Sequence, residues 1–336
     1  MNRLEHLKKT LIVNIISNLD YKSLEFVVLD YSSSDGLQEW INLEMKEYLD
    51  SGILNYYRVD GFKYFNRSHS RNIMFKLAKN DIICNIDADN YMGKGFANYI
   101  GKIFLNEPNS LIIPDERFSH FNRDVIGRFC VQKKDFLKVR GYDETMNGYG
   151  FEDNELYFRL KKLDREIHFL SNPTFMEGIK HGDEERTKNE AFTHLIDSLY
   201  INYISTEKSE VLLLFNDGGF FNGNIVPNTH PTPAPVFIEE LLWNKGSWTE
   251  KDDSVILNFS NNIEKVFFKK ENSLTNNEHK YHLISDAFFL EALNLSLPII
   301  TNQGIFFHKK NIQSITNASG FGKAAYYHKN KIYELA

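Results

Sequence analysis

The sequence has little cysteine. Two residues in 336, Cys84 and Cys130, are too few for a disulfide scaffold. They read as free thiols of a reducing compartment. Long hydrophobic runs are also missing: Val211–Phe215 is among the longest, far from the roughly 18 residues that would cross a bilayer. Met1–Lys9 is polar and leads into no apolar segment, so no secretory signal is expected. The expectation is a cytoplasmic protein, with peripheral attachment at the inner face of the membrane as the alternative. Excess basic charge is absent: 39 Lys and Arg stand against 45 Asp and Glu, a net charge of −6. That argues against nonspecific binding to nucleic acid or an anionic lipid surface. Of only eight prolines, four (Pro227, Pro231, Pro233 and Pro235) fall in one short stretch. Aromatic residues are plentiful, with 27 Phe and 17 Tyr, which excludes a largely disordered chain. At roughly 150 residues per domain, the length suggests two domains.

The first half alternates strand and helix signals. Glu25–Asp30 is a short apolar run ending in an acid, and Ser32–Asp35 offers helix caps. Leu37, Trp40, Ile41, Met45 and Tyr48 then recur at helical spacing up to Gly52. Leu54–Val59 reads as a strand, Ser70–Lys79 as a helix, and Asp81–Ile86 as a strand running into Asp87-Ala88-Asp89. Ser110–Pro114, Ile126–Val131 and Glu166–Leu170 read as further strands; Lys134–Val139, Glu152–Leu163 and Ala191–Ile204 read as helices. This rhythm predicts a parallel sheet covered by helices on both faces. In such sheets ligands sit beyond the carboxyl ends of the strands, where Asp30, Asp87 and Asp89 fall. Composition shifts after about Lys208 to short alternating runs at Ser254–Phe259, Lys265–Phe268, His282–Ile284 and Pro298–Thr301. The expected division is therefore a domain over 1–207 and a smaller β-rich domain over 208–336. That second domain carries no chemical motif. Its aromatics Phe220, Phe221, Trp243 and Trp248 fit a core better than a carbohydrate surface.

Four constellations carry chemistry. Asp87 and Asp89, two apart at a strand end, can reach one hard divalent cation, although an isolated D-x-D is more often a solvated turn. Gly148-Tyr149-Gly150-Phe151-Glu152-Asp153 places an aromatic between glycines ahead of an acidic pair. An acidic pair alone is ordinary helix capping; the flanked ring adds a surface for a sugar face. His181 becomes a metal candidate only if the fold brings it to Asp89. Arg67 and Arg71, following Asn66, offer charge for a diphosphate, or equally a helix start with a basic face.

Together these elements carry a family resemblance. Val27-Val-Leu-Asp30-Tyr-Ser-Ser-Ser-Asp35-Gly resembles the V-V-D-D-G-S-T-D-G signature of family 2 glycosyltransferases of the GT-A fold. Phe65-Asn66-Arg67 is similar to the F-N-R segment of β-1,4-galactosyltransferases. Arg140–Glu144 followed by Tyr149–Asp153 is similar to their W-G-x-E-D block. His181, followed by Asn189-Glu190, resembles the corresponding part of the bacterial chondroitin polymerase. The likeness spans about residues 2–195. It implies a GT-A α/β fold with a mixed, mostly parallel sheet. It also implies an inverting glycosyltransferase that moves a hexose or N-acetylhexosamine from a UDP-sugar to a glycan hydroxyl, in surface polysaccharide or glycoconjugate synthesis, with Mn²⁺ or Mg²⁺. Carried over residue by residue, Asp89 and His181 become metal ligands. Asp30, Asp35, Asn66, Arg67, Arg71 and Asp87 become nucleotide-sugar contacts. Glu152 would hold a sugar hydroxyl, Asp153 would be the general base, and Tyr149 would stack on the acceptor.

Three departures accompany the likeness. Tyr149 stands where the family has Trp, and Gly178 stands where the galactosyltransferases have a metal-binding Met. The chain also opens at Asn2-Arg3-Leu4, at the helix that follows the first strand of related chains, so the first strand is expected to be lacking and its neighbours to lose ladder partners. A late or truncated start is the favoured expectation. Two other classes compete. A nucleotidyltransferase would need a Gly-rich basic phosphate loop, which is not seen. A non-catalytic glycan-binding or scaffold protein would bind donor without turnover.

Overall fold

The computed structural model describes residues 1–115, 117, 125–206, 208–225, 244–285, 287–329 and 331–336. The chain divides into two units: Met1–Thr145, Glu152–Gly182 and Ile315–Ala336 form the first, Met146–Phe151 and Asp183–Ser314 the second. The division falls elsewhere than the expected 207/208, because the strand after residue 195 joins the second unit and the last 22 residues return to the first.

In the first unit, helix α1 (Leu4–Ile16) lays Leu4, Leu11 and Ile15 against Val28, Leu37, Ile41 and Leu54. Its first turn is capped from a distance: Leu4 N–H donates to Asp35 Oδ2 at 2.8 Å. Strand β1 (Phe26–Tyr31) is followed by α2 (Leu37–Glu44) and α3 (Lys46–Asp50), a helical stretch broken at Met45. It pairs in parallel with β2 (Leu54–Val59), Phe26 opposite Leu54 and Tyr31 opposite Val59. Asn66 caps α4 (Arg67–Leu77), its Oδ1 accepting from His69 N–H at 2.9 Å. Then come β3 (Ile82–Cys84), β4 (Asn90–Tyr91), α5 (Phe96–Asn106), β5 (Ser110–Pro114), β6 (Cys130–Gln132), α6 (Lys133–Lys138), α7 (Glu152–Lys161), β7 (Glu166–Leu170) and β8 (Glu177–Gly178).

The expected parallel sheet is mixed and divided. β3, β6, β5 and β7 form one sheet in that order. In it β5 and β7 are parallel, while β6 runs against both neighbours. β1 and β2 lie in another sheet. Among the described residues no strand joins β1 to β3. β6 begins later than the expected Ile126, because a turn closes Arg128 N–H on the Val125 carbonyl at 3.1 Å.

The second unit contains α8 (Asp183–Thr187), α9 (Ala191–Leu195) and eight strands. These are β9 (Ile196–Tyr203), β10 (Ser209–Phe215), β11 (Gly219–Ile225), β12 (Asn244–Lys251), β13 (Ser254–Phe259), β14 (Glu264–Lys270), β15 (Ser273–Thr275) and β16 (Lys280–Leu283). They pair antiparallel in sequence order, and β16 closes on β9 to make a barrel. The helix expected over Ala191–Ile204 is thus only five residues long. Its second half, rich in Ile and Tyr, is taken by two ladder partners instead. Alternate residues of β10 enter two clusters: Leu212 and Leu214 join Phe220, Leu257 and Phe267, while Val211 and Leu213 meet α10 (Ala287–Asn311) through Leu297 and Ile300. With both faces covered, all five residues of Val211–Phe215 are buried. The expected run Pro298–Thr301 lies inside α10 rather than in a strand. Leu290, Leu297 and Ile300 fall at helical spacing on the barrel-facing side, and that burial offsets the one backbone donor Pro298 lacks. Phe220 is buried and Trp248 packs on the same cluster, so both serve the core; Trp243 and the four clustered prolines lie outside the described residues.

The chain then returns to the first unit as a hairpin, β17 (Ala324–His328) and β18 (Lys331–Leu335). β17 lies antiparallel on β2, and His328 Nδ1 lies 2.9 Å from the Tyr56 carbonyl. No helix among the described residues is long and apolar enough to cross a membrane.

Candidate active site

The segment after β3 carries both predicted aspartates, and α1 holds it in place. Thr10 Oγ1 donates to the Ala88 carbonyl at 2.7 Å; Asn14 donates to the Asn90 carbonyl and accepts from Met92 N–H; Asn18 donates to the Gly93 carbonyl and accepts from Ala97 N–H. These residues are spaced by four, so one polar stripe running along α1 and just past its end satisfies the backbone of the 88–97 segment. That spacing is visible in the sequence, but the sequence reading did not use it.

Asp89 and His181, 92 residues apart in sequence, meet at 2.8 Å between Oδ2 and Nε2. A two-residue ladder supports the meeting: β4 pairs with β8, and Ile179 N–H donates to the Asp89 carbonyl. Burial pushes the Asp89 carboxyl up; the hydrogen bond and charge of His181 outweigh it and hold the group below its usual range. The His6 ring stands edge-on to His181, with centroids 5.7 Å apart. Among the described residues no three His, Cys, Asp or Glu side chains gather to hold a metal ion. One carboxylate and one imidazole side by side are two donors of the types that bind divalent metals.

Asp87 points the other way, into a buried network centred on Arg71. Arg71 Nη2 lies 3.1 Å from Asp87 Oδ1, and Nη1 lies 3.2 Å from Glu152 Oε1 and 3.0 Å from Asp153 Oδ1. Tyr142 donates its hydroxyl to Asp153 Oδ1 at 2.8 Å and offers its ring to the guanidinium 5.2 Å away. Burial works against the Arg71 charge, but Asp153, Tyr142, Asp87 and Glu152 together hold its pKa well above the ordinary value. Three carboxylates share one guanidinium, so the cluster carries more negative charge than Arg71 can balance. Burial and the charge of Asp153 push the Glu152 carboxyl up to about 7, and its Oε2 is buried with no hydrogen-bond partner among the described residues.

Gly127 closes this network: a Cβ there would lie 3.0 Å from Asp153 Oδ2, 3.2 Å from Arg71 Nη2 and 3.4 Å from Asp87 Oδ2. Next to it Arg128 is almost fully buried. It donates to Asn90 Oδ1 and the Tyr91 carbonyl, while its Nε and Nη1 have no partner among the described residues. Burial lowers its pKa to about 10. Asn72, one residue after Arg71, grips the Gly141–Glu144 loop by donating to the Tyr142 carbonyl and to Glu144 Oε1 and accepting from Tyr142 N–H. Gly127 and Arg128 were not picked out from the sequence, and Tyr142 lay unremarked inside the Arg140–Glu144 block. A glycine or a tyrosine carries no charge pattern to mark it.

Of the remaining candidates, Arg67 reaches this network through its charge, which acts on Glu152. Asp30 is fully buried, accepting from Ser33 N–H, the Tyr56 hydroxyl and Arg58 Nη1 at 2.8, 2.7 and 2.5 Å. In the structure its carboxylate ties the ends of β1 and β2 together. Asp35 caps α1, and Asn66 caps α4. Arg67 opens α4 with its guanidinium 5.6 Å from the Phe65 ring. Tyr149 belongs to the second unit, where the Arg186 guanidinium lies 5.8 Å from its ring and donates to its hydroxyl at 3.4 Å.

Residues 119–182, which carry Gly127, Arg128, Tyr142, Glu152, Asp153 and His181, match the family model described as the N-terminal domain of galactosyltransferase. This region is galactosyltransferase-like. Over these residues the chain is similar to galactosyltransferases, in line with the resemblance its sequence carries. Among solved structures, the catalytic domain of Drosophila beta1,4-galactosyltransferase 7 in complex with xylobiose is similar at 16% identity, over 50% of this chain and 75% of that one, with a TM-score of 0.31. A mutant of the Drosophila enzyme in complex with manganese, UDP-Gal and xylobiose gives 16% identity, the same coverage and a TM-score of 0.30. The Cpx pathway activator NlpE from Escherichia coli is similar over 27% of this chain, at 14% identity and a TM-score of 0.18, and this chain spans 46% of its length. No curated protein matches the chain.

Proposed function

We propose that the protein is an inverting, divalent-metal-dependent glycosyltransferase that moves a hexose or N-acetylhexosamine from a UDP-sugar to a hydroxyl of a glycan acceptor. The observation that carries this reading is the convergence of Asp87, Glu152 and Asp153 on Arg71, one segment away from the Asp89–His181 pair. The set offers a base, a hydrogen-bonding acid and a metal-binding pair, and these site residues include no nucleophile paired with a base. That favours single displacement.

Asp89 and His181 are the residues that would hold Mn²⁺ or Mg²⁺, which when bound supplies positive charge against the departing diphosphate. Asp153 accepts the proton of the acceptor hydroxyl. Its Oδ1 is fixed by Arg71 and Tyr142, which leaves Oδ2, on the Gly127 side, as the oxygen to receive it. Glu152, with its carboxyl raised to about 7, keeps a proton on part of the population at neutral pH and can donate from it to a sugar oxygen. Arg67, Asn66 and Asp35 are assigned to the nucleotide-sugar side, and Asp30 is assigned to holding the strand ends that shape it. Tyr149 is assigned to the acceptor. The product class is surface polysaccharide or glycoconjugate.

UDP release from a panel of UDP-sugars, with Mn²⁺ and with EDTA, tests the reading. Metal-dependent release from one donor is expected, together with a large drop in acceptor-dependent turnover for Asp153→Asn while donor binding persists. Donor binding without turnover under every condition would instead favour a glycan-binding protein.

A further inference from the structure

The two cysteines of the sequence face each other across one ladder. β3 and β6 run antiparallel with Cys84 directly opposite Cys130. Asn85 N–H donates to the Phe129 carbonyl at 2.9 Å, and Lys133 N–H donates to the Asp81 carbonyl. Hydrogen-bonded and non-hydrogen-bonded pairs alternate along an antiparallel ladder. Asp81–Lys133, Ile83–Val131 and Asn85–Phe129 are therefore hydrogen-bonded pairs, and Cys84–Cys130 is a non-hydrogen-bonded one. In that pair type the side chains stand closer, with Cα atoms about 4.5 Å apart, and disulfides span about 4.4–6.8 Å between Cα atoms.

Both side chains leave the sheet on one face. Cys130 is buried among Phe96, Ile100 and Ile112, and Cys84 packs against that cluster. Their neighbours Ile83 and Val131 belong to the core on the other face. The two thiols are hydrogen-bonded to each other. A buried residue touches roughly 6–12 others, so two cysteines scattered at random over 336 positions would meet in about 3% of chains. Chance is a poor account of this apposition.

The two sulfurs differ in their surroundings. Cys130 is fully buried, and burial together with the Cys84 sulfur pushes its thiol up, so it stays protonated. Cys84 is partly exposed and is the sulfur that an incoming oxidant meets first. One sulfur that reacts, with a second thiol waiting beside it, is the arrangement that closes a disulfide.

We propose that Cys84 and Cys130 form a redox modification site: a reversible cross-strand disulfide that staples β3 to β6 and stiffens the segment leading to Asp87 and Asp89. Hydrogen peroxide is the oxidant that balances the step. The Cys84 sulfur attacks one peroxide oxygen and the O–O bond breaks, which gives a sulfenic acid and one water. The Cys130 sulfur then attacks the sulfenic sulfur. The S–S bond forms, the S–O bond breaks, and hydroxide leaves with the Cys130 proton as the second water. In all, two thiols lose two electrons and two protons, and one peroxide becomes two waters. A dithiol reductant reverses the step by exchange and leaves as its own cyclic disulfide.

The link reaches the proposed active site through one residue. Asn85 is buried, and its Nδ2 donates to the Gly127 carbonyl at 2.9 Å and to Asp87 Oδ1 at 3.2 Å. Gly127 and Asp87 both border Arg71. Asn85 already joins by hydrogen bonds the two segments that the disulfide joins covalently.

The test uses no sugar chemistry, so its failure is separable from failure of the transferase reading. The folded full-length chain is treated with hydrogen peroxide, quenched with catalase, unfolded, labelled with a maleimide and weighed intact. With two cysteines in the sequence, a monomer about 2 Da lighter that takes up no maleimide identifies this bond. That product is expected, and dithiothreitol should restore both labels. Two labels after oxidation, a disulfide-linked dimer, or an end product about 32 Da heavier overturns the proposal. The second reading is hydrogen exchange of the peptide covering residues 82–89. Exchange at least about threefold slower in the oxidised chain is expected, and equal rates overturn the staple.

Discussion

Replacing Glu152 by glutamine should make the first unit less sensitive to pH. The carboxyl shifts from an ordinary 4.5 to about 7, through burial and the neighbouring Asp153 charge. A raised acid pKa means that the folded state binds the proton more tightly than the unfolded chain. Stability is therefore greatest below about 4.5 and falls as pH rises through 7. The full loss is about 3 kcal/mol, of which about 1 kcal/mol falls between about pH 6 and pH 8. Glutamine keeps the shape and the oxygen that accepts from Arg71 but has no proton to lose. The assay is urea unfolding at about pH 6 and pH 8, followed by fluorescence of Trp40 in a background where Trp243 and Trp248 are phenylalanine, so that the signal reports the first unit alone. The expected result is that Glu152→Gln removes about 1 kcal/mol of the difference between the two pH values. An unchanged difference would refute the reasoning, since it would mean that Glu152 ionises alike in folded and unfolded chains.

Arg71→Ala leaves Asp87, Glu152 and Asp153 facing one another without their cation and should cost about 3–5 kcal/mol in urea unfolding; a loss below about 1 kcal/mol would show that the network is not truly desolvated. Gly127→Ala pushes on three charged groups at once, so it should lower transfer about tenfold while leaving the melting temperature within a few degrees, as activity and thermal scans would show. His181→Ala should weaken Mn²⁺ stimulation of UDP release at least about tenfold, read from metal titrations, with little change in stability. Gly93→Ala should fail to fold or melt far lower, because Gly93 has φ +84° and a Cβ there would sit 2.2 Å from the Thr174 carbonyl oxygen; circular dichroism of the purified variant decides it.

Much of the first unit was legible in the sequence because its strands end in chemistry. The runs Leu54–Val59, Ser110–Pro114 and Glu166–Leu170 became strands with the expected bounds, and Asp87 and Asp89 fell on the segment that follows β3. The meeting of Asp89 and His181 needed the fold, since it depends on β4 pairing with β8, a two-residue ladder too short to leave a periodic signal. The Arg71 network shows the limit more sharply. Its four charged members were all named, but not as one buried cluster, because burial is set by Tyr142 and Gly127, which no charge pattern marks. The errors in the second unit share a cause. Ala191–Ile204 and Pro298–Thr301 are apolar runs whose local preferences were overridden by ladder partners in one case and by a barrel-facing helix side in the other.

The returning hairpin has a consequence for synthesis of the chain. β2 receives β17 only after residue 328 has been made, and Lys76 donates to the Phe321 carbonyl while Gly322 N–H reaches Glu144. Arg140 likewise holds the carbonyls of Thr316 and Asn317. A nascent chain leaving the ribosome therefore carries the full set of proposed active-site side chains on a unit whose border is still open, while the whole barrel is translated in between. A premature stop near residue 314 would remove none of the proposed active-site residues. It would nevertheless leave β2 with a bare rim, which points to adhesive, protease-sensitive product rather than a shortened working enzyme.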